Sequence, residues 1–116
     1  MPLDYDLSSL ILPIEILPYF EVVRVIKQEE RIDLYLDERN NPPKQPYTYL
    51  SKGFTDERLI QDFPLRGRAV FLHVRKRKWQ ERETGHIITN SYDLTHQGTH
   101  LTYEFASFLK EAHRNY

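Results

Sequence analysis

The sequence predicts a small α+β fold, in which one small antiparallel β-sheet packs against short helices. Three observations support this prediction. Residues 20–36 contain two strand-like runs joined by a short polar link, strand-like patterns recur near 69–79 and 86–91, and apolar residues follow helical spacing over 5–17 and 102–113. A chain of 116 residues has room for a single domain, 1–116, and not for two independent cores. Eight Tyr, six Phe and one Trp provide the apolar mass for that core.

The N-terminal segment predicts a short helix over 5–17 that a proline interrupts. Pro13 can begin a second helical turn because proline is tolerated at the first helical position, and Pro18 ends the helix. The apolar positions at helical spacing are Leu7, Leu10, Ile11, Ile14 and Leu17.

A β-hairpin follows over 20–36. Residues 20–26 (FEVVRVI) are rich in β-branched side chains, and residues 31–36 (RIDLYL) alternate apolar and polar positions. The link 27–30 is polar and short enough for a hairpin turn. Three prolines in 40–46 (NNPPKQP) then predict a surface loop, because proline is excluded from helix interiors and central strands.

The second half of the chain predicts a short helix, two strands and a final helix. Thr55 followed by two acids is typical of a helix start, and Pro64 would end that helix. Alternation over 68–79 predicts one long strand, and a turn at 83–85 leads to a strand over 86–91. Thr102 would cap a helix that runs to about His113, with an apolar stripe formed by Leu101, Phe105, Phe108, Leu109 and Ala112. That stripe could face a partner, or it could cover the sheet.

Composition excludes several classes of function. The chain has no cysteine, so disulfides, thiolate zinc sites and cysteine nucleophiles are all excluded. No apolar run approaches the roughly 20 residues of a membrane-spanning helix, and the N-terminus lacks the early basic residues of a secretory signal. We therefore expect a cytoplasmic protein with no membrane partner.

Charge is distributed unevenly although the net charge is −1. Residues 1–23 contain four acids and no Lys or Arg, whereas residues 66–82, called the basic segment below, contain seven Lys or Arg and one Glu, a net charge of +6. Such a segment predicts phosphate contacts with DNA, and Trp79 would share a strand face with Arg75 and Arg77. Arg75 or Arg77 would contact a base, because a guanidinium forks to guanine. The predicted DNA-binding residues are Arg66, Arg68, Arg75, Lys76, Arg77, Lys78, Trp79 and Arg82. The alternative is a basic hairpin that keeps a sheet edge soluble.

Catalytic and metal-binding patterns are weak. His96 and His100 have i, i+4 spacing but lack the Glu of the HExxH pattern, and the chain has no GxSxG elbow and no glycine-rich phosphate loop. We expect no catalysis, no metal and no cofactor in this chain. The aromatic residues of 47–49 and Phe54 could stack on bases, but core or loop packing is the more common role of such residues.

Three pieces of the sequence occur in a familiar order. Residues 62–68 (DFPLRGR) precede 70–79 (VFLHVRKRKW), and 101–109 (LTYEFASFL) follow. Over about 60–110 the chain resembles the N-terminal region of bacterial insertion-sequence transposases that have a DDE-type catalytic domain. Residues 14–39 look like the variant group in which this region is encoded as a short separate protein. Many relatives carry zinc-ribbon cysteines around these motifs, so the resemblance implies a zinc-ribbon-like architecture without zinc, with Trp79 after the arginine run.

The resemblance implies a DNA-binding accessory region that recognises the terminal inverted repeats of its element in double-stranded DNA. The catalytic acids of a DDE domain are not in this sequence, so the chemistry would belong to another polypeptide. One alternative is a protein-interaction module, in which the acidic front and the final helix stripe dock on a catalytic transposase chain or on a second copy as a homodimer. Another alternative is a single-stranded RNA-binding protein.

Overall fold

The computed structural model describes residues 10–44, 46–94, 100–112 and 114–115. Within them, eight β-strands form two four-stranded sheets beside one α-helix, so the predicted α+β class is confirmed. The strands are β1 (Phe20–Lys27), β2 (Arg31–Glu38), β3 (Tyr49–Phe54), β4 (Arg58–Leu65), β5 (Arg68–Arg75), β6 (Arg77–Glu81), β7 (Ile87–Ile88) and β8 (Arg114–Asn115). The helix α1 is Tyr103–Lys110, and a 3-10 turn covers Ile14–Ile16.

The first sheet has the strand order β1-β2-β5-β4. The predicted hairpin at 20–36 is confirmed as the antiparallel β1–β2 pair, and β4–β5 forms a second hairpin. The central strands β2 and β5 run parallel, with Leu34 opposite Leu72. The predicted sheet was antiparallel, and the structure differs from that prediction in this one parallel pair. The connection between β2 and β5 contains β3 of the second sheet and β4 of the first, so it is long enough for the crossover that parallel strands require.

The core lies on one face of the first sheet, where every second residue of β2 and β5 is buried. Three side chains of α1 pack on this face, and Leu12 and Ile16 of the N-terminal segment extend the same cluster. The buried apolar side chains of β2, β4, β5 and α1 are Ile32, Leu34, Leu36, Ile60, Val70, Leu72, Val74, Phe105, Phe108 and Leu109. The stripe of α1 is thus a cover for the sheet and does not face solvent.

The final helix is shorter than predicted. Thr102 is its N-cap as expected, and its hydroxyl accepts a hydrogen bond of 3.2 Å from the backbone N–H of Phe105. The helix ends at Lys110, and Ala112 of the predicted stripe is exposed beyond it. His113, the predicted end, lies outside the described residues.

The second sheet has the order β3-β6-β7-β8 and is antiparallel throughout. The predicted long strand at 69–79 was wrong because the chain breaks at Lys76, where it leaves the first sheet as β5 and enters the second as β6. The predicted turn near 83–85 is present, and the Gly85 N–H donates to the Glu81 carbonyl at 2.8 Å. The predicted strand at 86–91 is reduced to the two residues of β7.

Two predicted helices differ from the structure. The helix predicted to begin at Thr55 was wrong, because 58–65 form the edge strand β4. Pairing with β5 overrides the local helix-start signal, and Pro64 is compatible with an edge strand. In the helix predicted over 5–17, Leu10 and Ile11 are helical and the 3-10 turn follows Pro13, whereas residues 5–9 lie outside the described residues. None of the described helices has the length and apolar character that a bilayer crossing demands.

Candidate nucleic-acid interface

The basic segment does not form one continuous surface. It begins at the tip of the β4–β5 hairpin, runs through β5, crosses between the sheets at Lys76 and ends in the second sheet after β6. The predicted DNA-contacting residues therefore fall into three places, namely the hairpin tip, the junction between the sheets and the second sheet. Each place has a different electrostatic environment.

At the junction, the two arginines predicted to contact a base are held by acidic residues of β2. The Arg75 guanidinium donates two hydrogen bonds to the Asp37 carboxylate at 2.8 and 2.7 Å. Arg77 Nε donates to the Glu38 carbonyl at 2.9 Å. Both guanidinium groups also lie against the Phe54 ring, with Cζ 4.2 Å (Arg75) and 4.7 Å (Arg77) from its centroid. A base contact by either arginine would have to displace these interactions.

Lys76 is buried, with 2% of its surface exposed. Its ammonium donates to three carbonyls at the end of α1, those of Phe108 at 2.9 Å, Glu111 at 2.7 Å and Leu109 at 3.3 Å. Burial lowers the pKa of Lys76 to about 8. This side chain fixes the C-terminus of α1 to the junction, so the predicted phosphate contact by Lys76 would have to displace its buried hydrogen bonds.

Trp79 is also buried, at 3% exposure, on the inner side of β6 beside the buried Glu81. Its indole Nε1 has no hydrogen-bond partner within the described part of the chain. Stacking of Trp79 on a base is incompatible with this burial. The predicted strand face is also divided, because the break at Lys76 places Arg75 in β5 and Arg77 and Trp79 in β6.

Sequence reasoning missed Glu38, which organises the junction. Its carboxylate is fully buried and accepts hydrogen bonds from the Arg77 N–H at 2.8 Å, the Asn90 side-chain amide at 3.2 Å and the Tyr92 hydroxyl. Burial, followed by the hydrogen bond to Glu38, raises the pKa of Tyr92. The sequence did contain a signal: Glu38 continues the alternating, inward-facing positions of β2 after Leu36, and a carboxylate buried there needs several hydrogen-bond donors.

Two lysines of the second sheet, Lys52 and Lys78, have no acidic partner among the described residues. A bulge in the β3–β6 ladder leaves Lys52 and Gly53 opposite Lys78, and Gly53 adopts a positive φ of 83° there. Neither lysine side chain has a hydrogen bond or ion pair within the described residues. Arg82 is exposed at the end of β6, where its N–H donates to the Thr48 carbonyl at 3.0 Å.

The β4–β5 hairpin presents the other free cations. Its turn consists of Arg66 and Gly67, whose φ angles are 49° and 81°, the pattern of a type I′ turn. Arg66 is exposed and Arg68 is half-buried, and neither guanidinium has an acidic partner among the described side chains. Glu30 lies at the same end of the sheet, where its carbonyl accepts from the Ala69 N–H at 3.0 Å. The cationic surface is therefore confined to the tip itself.

A polar cluster on the outer face of the first sheet is the strongest candidate for chemistry. His73 lies between two carboxylates, with Nε2 2.6 Å from Asp33 and Nδ1 2.8 Å from Glu57, and it stacks on Tyr35 at 4.1 Å. Arg31 forms a bidentate pair with Asp33 and lowers the pKa of that carboxyl. These groups satisfy one another, and no hydroxyl nucleophile is bonded to His73 in the described residues. The cluster fastens β2 to β5.

The histidines do not converge on a metal site in the described residues, where no group of three or more potential ligands is present. His100 packs on Phe63 at 4.8 Å, and His86 lies 3.5 Å from Glu81. His96, the other member of the i, i+4 pair, lies outside the described residues.

Comparisons of the chain with protein-family models, with the curated proteins and with solved structures found no match.

Proposed function

We propose that this chain is a cytoplasmic DNA-binding accessory region of a transposase, which contacts the ends of its element while catalysis resides in another polypeptide. One observation carries the DNA contact: Lys52 and Lys78 lie on neighbouring strands at the β3–β6 bulge with no acidic partner in the described part of the chain. The sequence resemblance over about 60–110 supplies the transposase context.

Two like charges facing each other across a strand pair destabilise a sheet. Elsewhere in this chain arginines are neutralised, as the bidentate pairs of Arg31 with Asp33 and of Arg75 with Asp37 show. Within the described ranges Lys52 and Lys78 lack such a partner, and this leaves a local positive potential. A phosphate group would relieve the repulsion and release counterions on binding.

Fluorescence anisotropy of a duplex across a salt series tests the proposal. If Lys52, Lys78 and Arg82 engage phosphates, the log–log slope is about −2.7, and contacts by Arg66 and Arg68 extend it to about −4.5, from roughly 0.9 per phosphate. Lys52→Ala and Lys78→Ala should each make the slope less negative by about 1. Lys110→Ala is the matched control, because Lys110 is half-exposed and lies 3.8 Å from Asp93. A slope near zero for the wild-type chain would refute DNA binding.

Protein docking is a second candidate, and it is supported by exposed apolar residues near the N-terminus. Leu10 and Ile14 are 68% and 74% exposed, and a pocket of about 240 Å³ lies between 10–13 and 63–65. The helix stripe no longer supports docking because it is buried in the core. Sedimentation of the chain with a candidate catalytic polypeptide discriminates: co-migration without DNA that Ile14→Asp abolishes would favour docking.

A further inference from the structure

We propose that the β4–β5 hairpin is the base-reading element of this chain, and that Arg66 at its tip contacts guanine in the major groove. This inference rests on the proposed DNA-binding function and names the residue that confers specificity. It replaces Arg75 and Arg77, whose guanidinium groups are held by β2 and by Phe54.

The backbone at Arg66 is strained. With φ at 49°, Arg66 occupies the left-handed region, which side chains bearing a Cβ rarely adopt. The first central position of a type I′ turn favours Asn, Asp or Gly, so an arginine there is unfavourable for folding. Arg66 is strained and exposed at the apex of a hairpin, and its guanidinium has no acidic partner among the described side chains, which makes it the kind of outlier that indicates function.

The turn is the part of the hairpin that can reach into a groove. β5 also pairs with β2 from Ala69 onward in a four-stranded sheet, which is too wide for a major groove of about 12 Å, so the Arg66 side chain would reach the base edges from the two-residue turn. β4 is an edge strand, so no further strand pairs with its outer side within the described structure. Pro64 lies in this edge strand and lacks an N–H, which disfavours pairing with another protein strand. Arg68 flanks the tip and supplies a second free cation for phosphate.

The chemistry also separates Arg66 from the free cations of the second sheet. Arginine presents a planar fork that matches the O6 and N7 acceptors of guanine, whereas the lysine ammonium is a point charge without that geometry. Lys52 and Lys78 therefore fit phosphate contacts. Arg82 is the remaining exposed arginine of the basic segment, next to the Glu83 carboxyl, and it provides the matched comparison.

The experiment selects duplexes from a random library with the wild-type chain and compares the selected duplex with a scrambled duplex by anisotropy. Arg66→Asn and Arg66→Gly remove the guanidinium while relieving the strain, so both variants should fold with unchanged or higher Tm. We expect each to lose about 10- to 100-fold of the preference for the selected duplex. Affinity for the scrambled duplex should fall only by the contribution of one charge.

Two further variants make the outcome specific. Arg66→Lys keeps the charge and should lose base preference while keeping the salt slope, and Arg82→Asn should weaken both duplexes equally. Wild-type-like preference in folded Arg66→Asn and Arg66→Gly would overturn the assignment of the hairpin while leaving DNA binding intact. If the wild-type chain binds no duplex at any salt concentration, the proposed function fails, and the hairpin assignment fails with it.

Discussion

Lys76→Met is the substitution that most directly tests how the structure divides the basic segment. Methionine keeps most of the volume of the buried side chain but removes the ammonium and its three hydrogen bonds to the end of α1. The structure predicts a loss of stability and no direct loss of DNA contact. A phosphate-binding lysine would show the opposite pattern.

The magnitude follows from the acceptors that lose a donor. The Phe108 carbonyl still accepts from the Glu111 N–H at 3.2 Å, and the Leu109 carbonyl still accepts from the Tyr92 N–H at 2.7 Å. The free-energy cost of losing the ammonium at these two carbonyls is therefore below the roughly 1–3 kcal/mol of a fully unsatisfied buried group. Removal of a desolvated charge offsets part of the loss. We expect Lys76→Met to lower the free energy of unfolding by about 2 kcal/mol. That corresponds to a fall in Tm of roughly 8 °C for a domain of this size.

Thermal and urea unfolding followed by circular dichroism measure the stability, and anisotropy with a duplex below the Tm measures binding. Lys78→Met is the matched control, because Lys78 lies on the second sheet without an acidic partner in the described structure. That control should change stability by less than about 0.5 kcal/mol and weaken DNA binding. Unchanged stability with weakened DNA binding in Lys76→Met would refute the structural role of Lys76.

The pKa of Lys76 also predicts a pH dependence of stability. The folded-state pKa is about 8 and the unfolded value is 10.5, so the unfolded chain binds more protons between these two pH values. The contribution of Lys76 to the unfolding free energy therefore rises with pH in this window. Urea unfolding should show the rise in the wild-type protein and not in Lys76→Met. The raised pKa of Tyr92 has the opposite sign, so its contribution is present below about pH 10 and is lost above it, and Tyr92→Phe should remove that decline. Arg75→Ala combined with Arg77→Ala should lower the unfolding free energy by about 2 kcal/mol, because the bidentate pair and the hydrogen bond of Arg77 are lost. The salt slope of DNA binding should not change. A variant that stays stable but shows a shallower slope would mean that the two arginines do contact phosphate. Trp79 fluorescence should shift to longer wavelength on unfolding and stay unchanged on DNA binding, because the indole is buried; strong quenching by a duplex would contradict that placement.

The β1–β2 hairpin and the alternation of β5 were predictable because their signals are local. Ile32, Leu34 and Leu36 alternate with polar residues over one strand, and a period of two leaves one inward register. The Thr102 cap was predictable for the same reason, since the capping bond spans three residues. Elements whose determinants lie within one turn or one strand are the ones that the sequence defines best.

The edge strand β4 was not predictable because its determinant is tertiary. Thr55 followed by acids and then Pro64 is a reasonable helix signal, but Ile60 pairs with Leu72 of β5 and is buried in the sheet. The energy of that pairing and burial exceeds a propensity difference that amounts to a few tenths of a kcal/mol per residue. The Thr55 hydroxyl instead accepts from the Lys76 N–H at 3.1 Å, and so helps to place the break between β5 and β6.

The same limit applies to the candidate site. A run of cations in the sequence does not show which acceptors bind them in the fold. The carbonyls that accept from Lys76 lie 32 to 35 residues away, and the Asp37 carboxylate that accepts from Arg75 lies 38 residues away. The sequence gives the number of charged residues, whereas phosphate binding depends on which of these charges are not already paired within the fold. The lone Lys52, outside the basic segment, was missed because one lysine in a strand carries no signal until Lys78 is placed opposite it.

The positions of the free cations limit how this chain can bind DNA alone. Arg66 and the second sheet lie at opposite ends of β5, whose eight residues span about 26 Å at 3.3 Å per residue. The two groups of cations therefore cannot engage the same phosphates, and each neutralises only a few. So few phosphate contacts give a weak electrostatic affinity, because each contact adds only about 0.9 to the log–log salt slope. Under the proposed function, tight recognition of an element end requires a linked second binding unit, from another copy or from a catalytic polypeptide, which raises the effective concentration of the contacts made here.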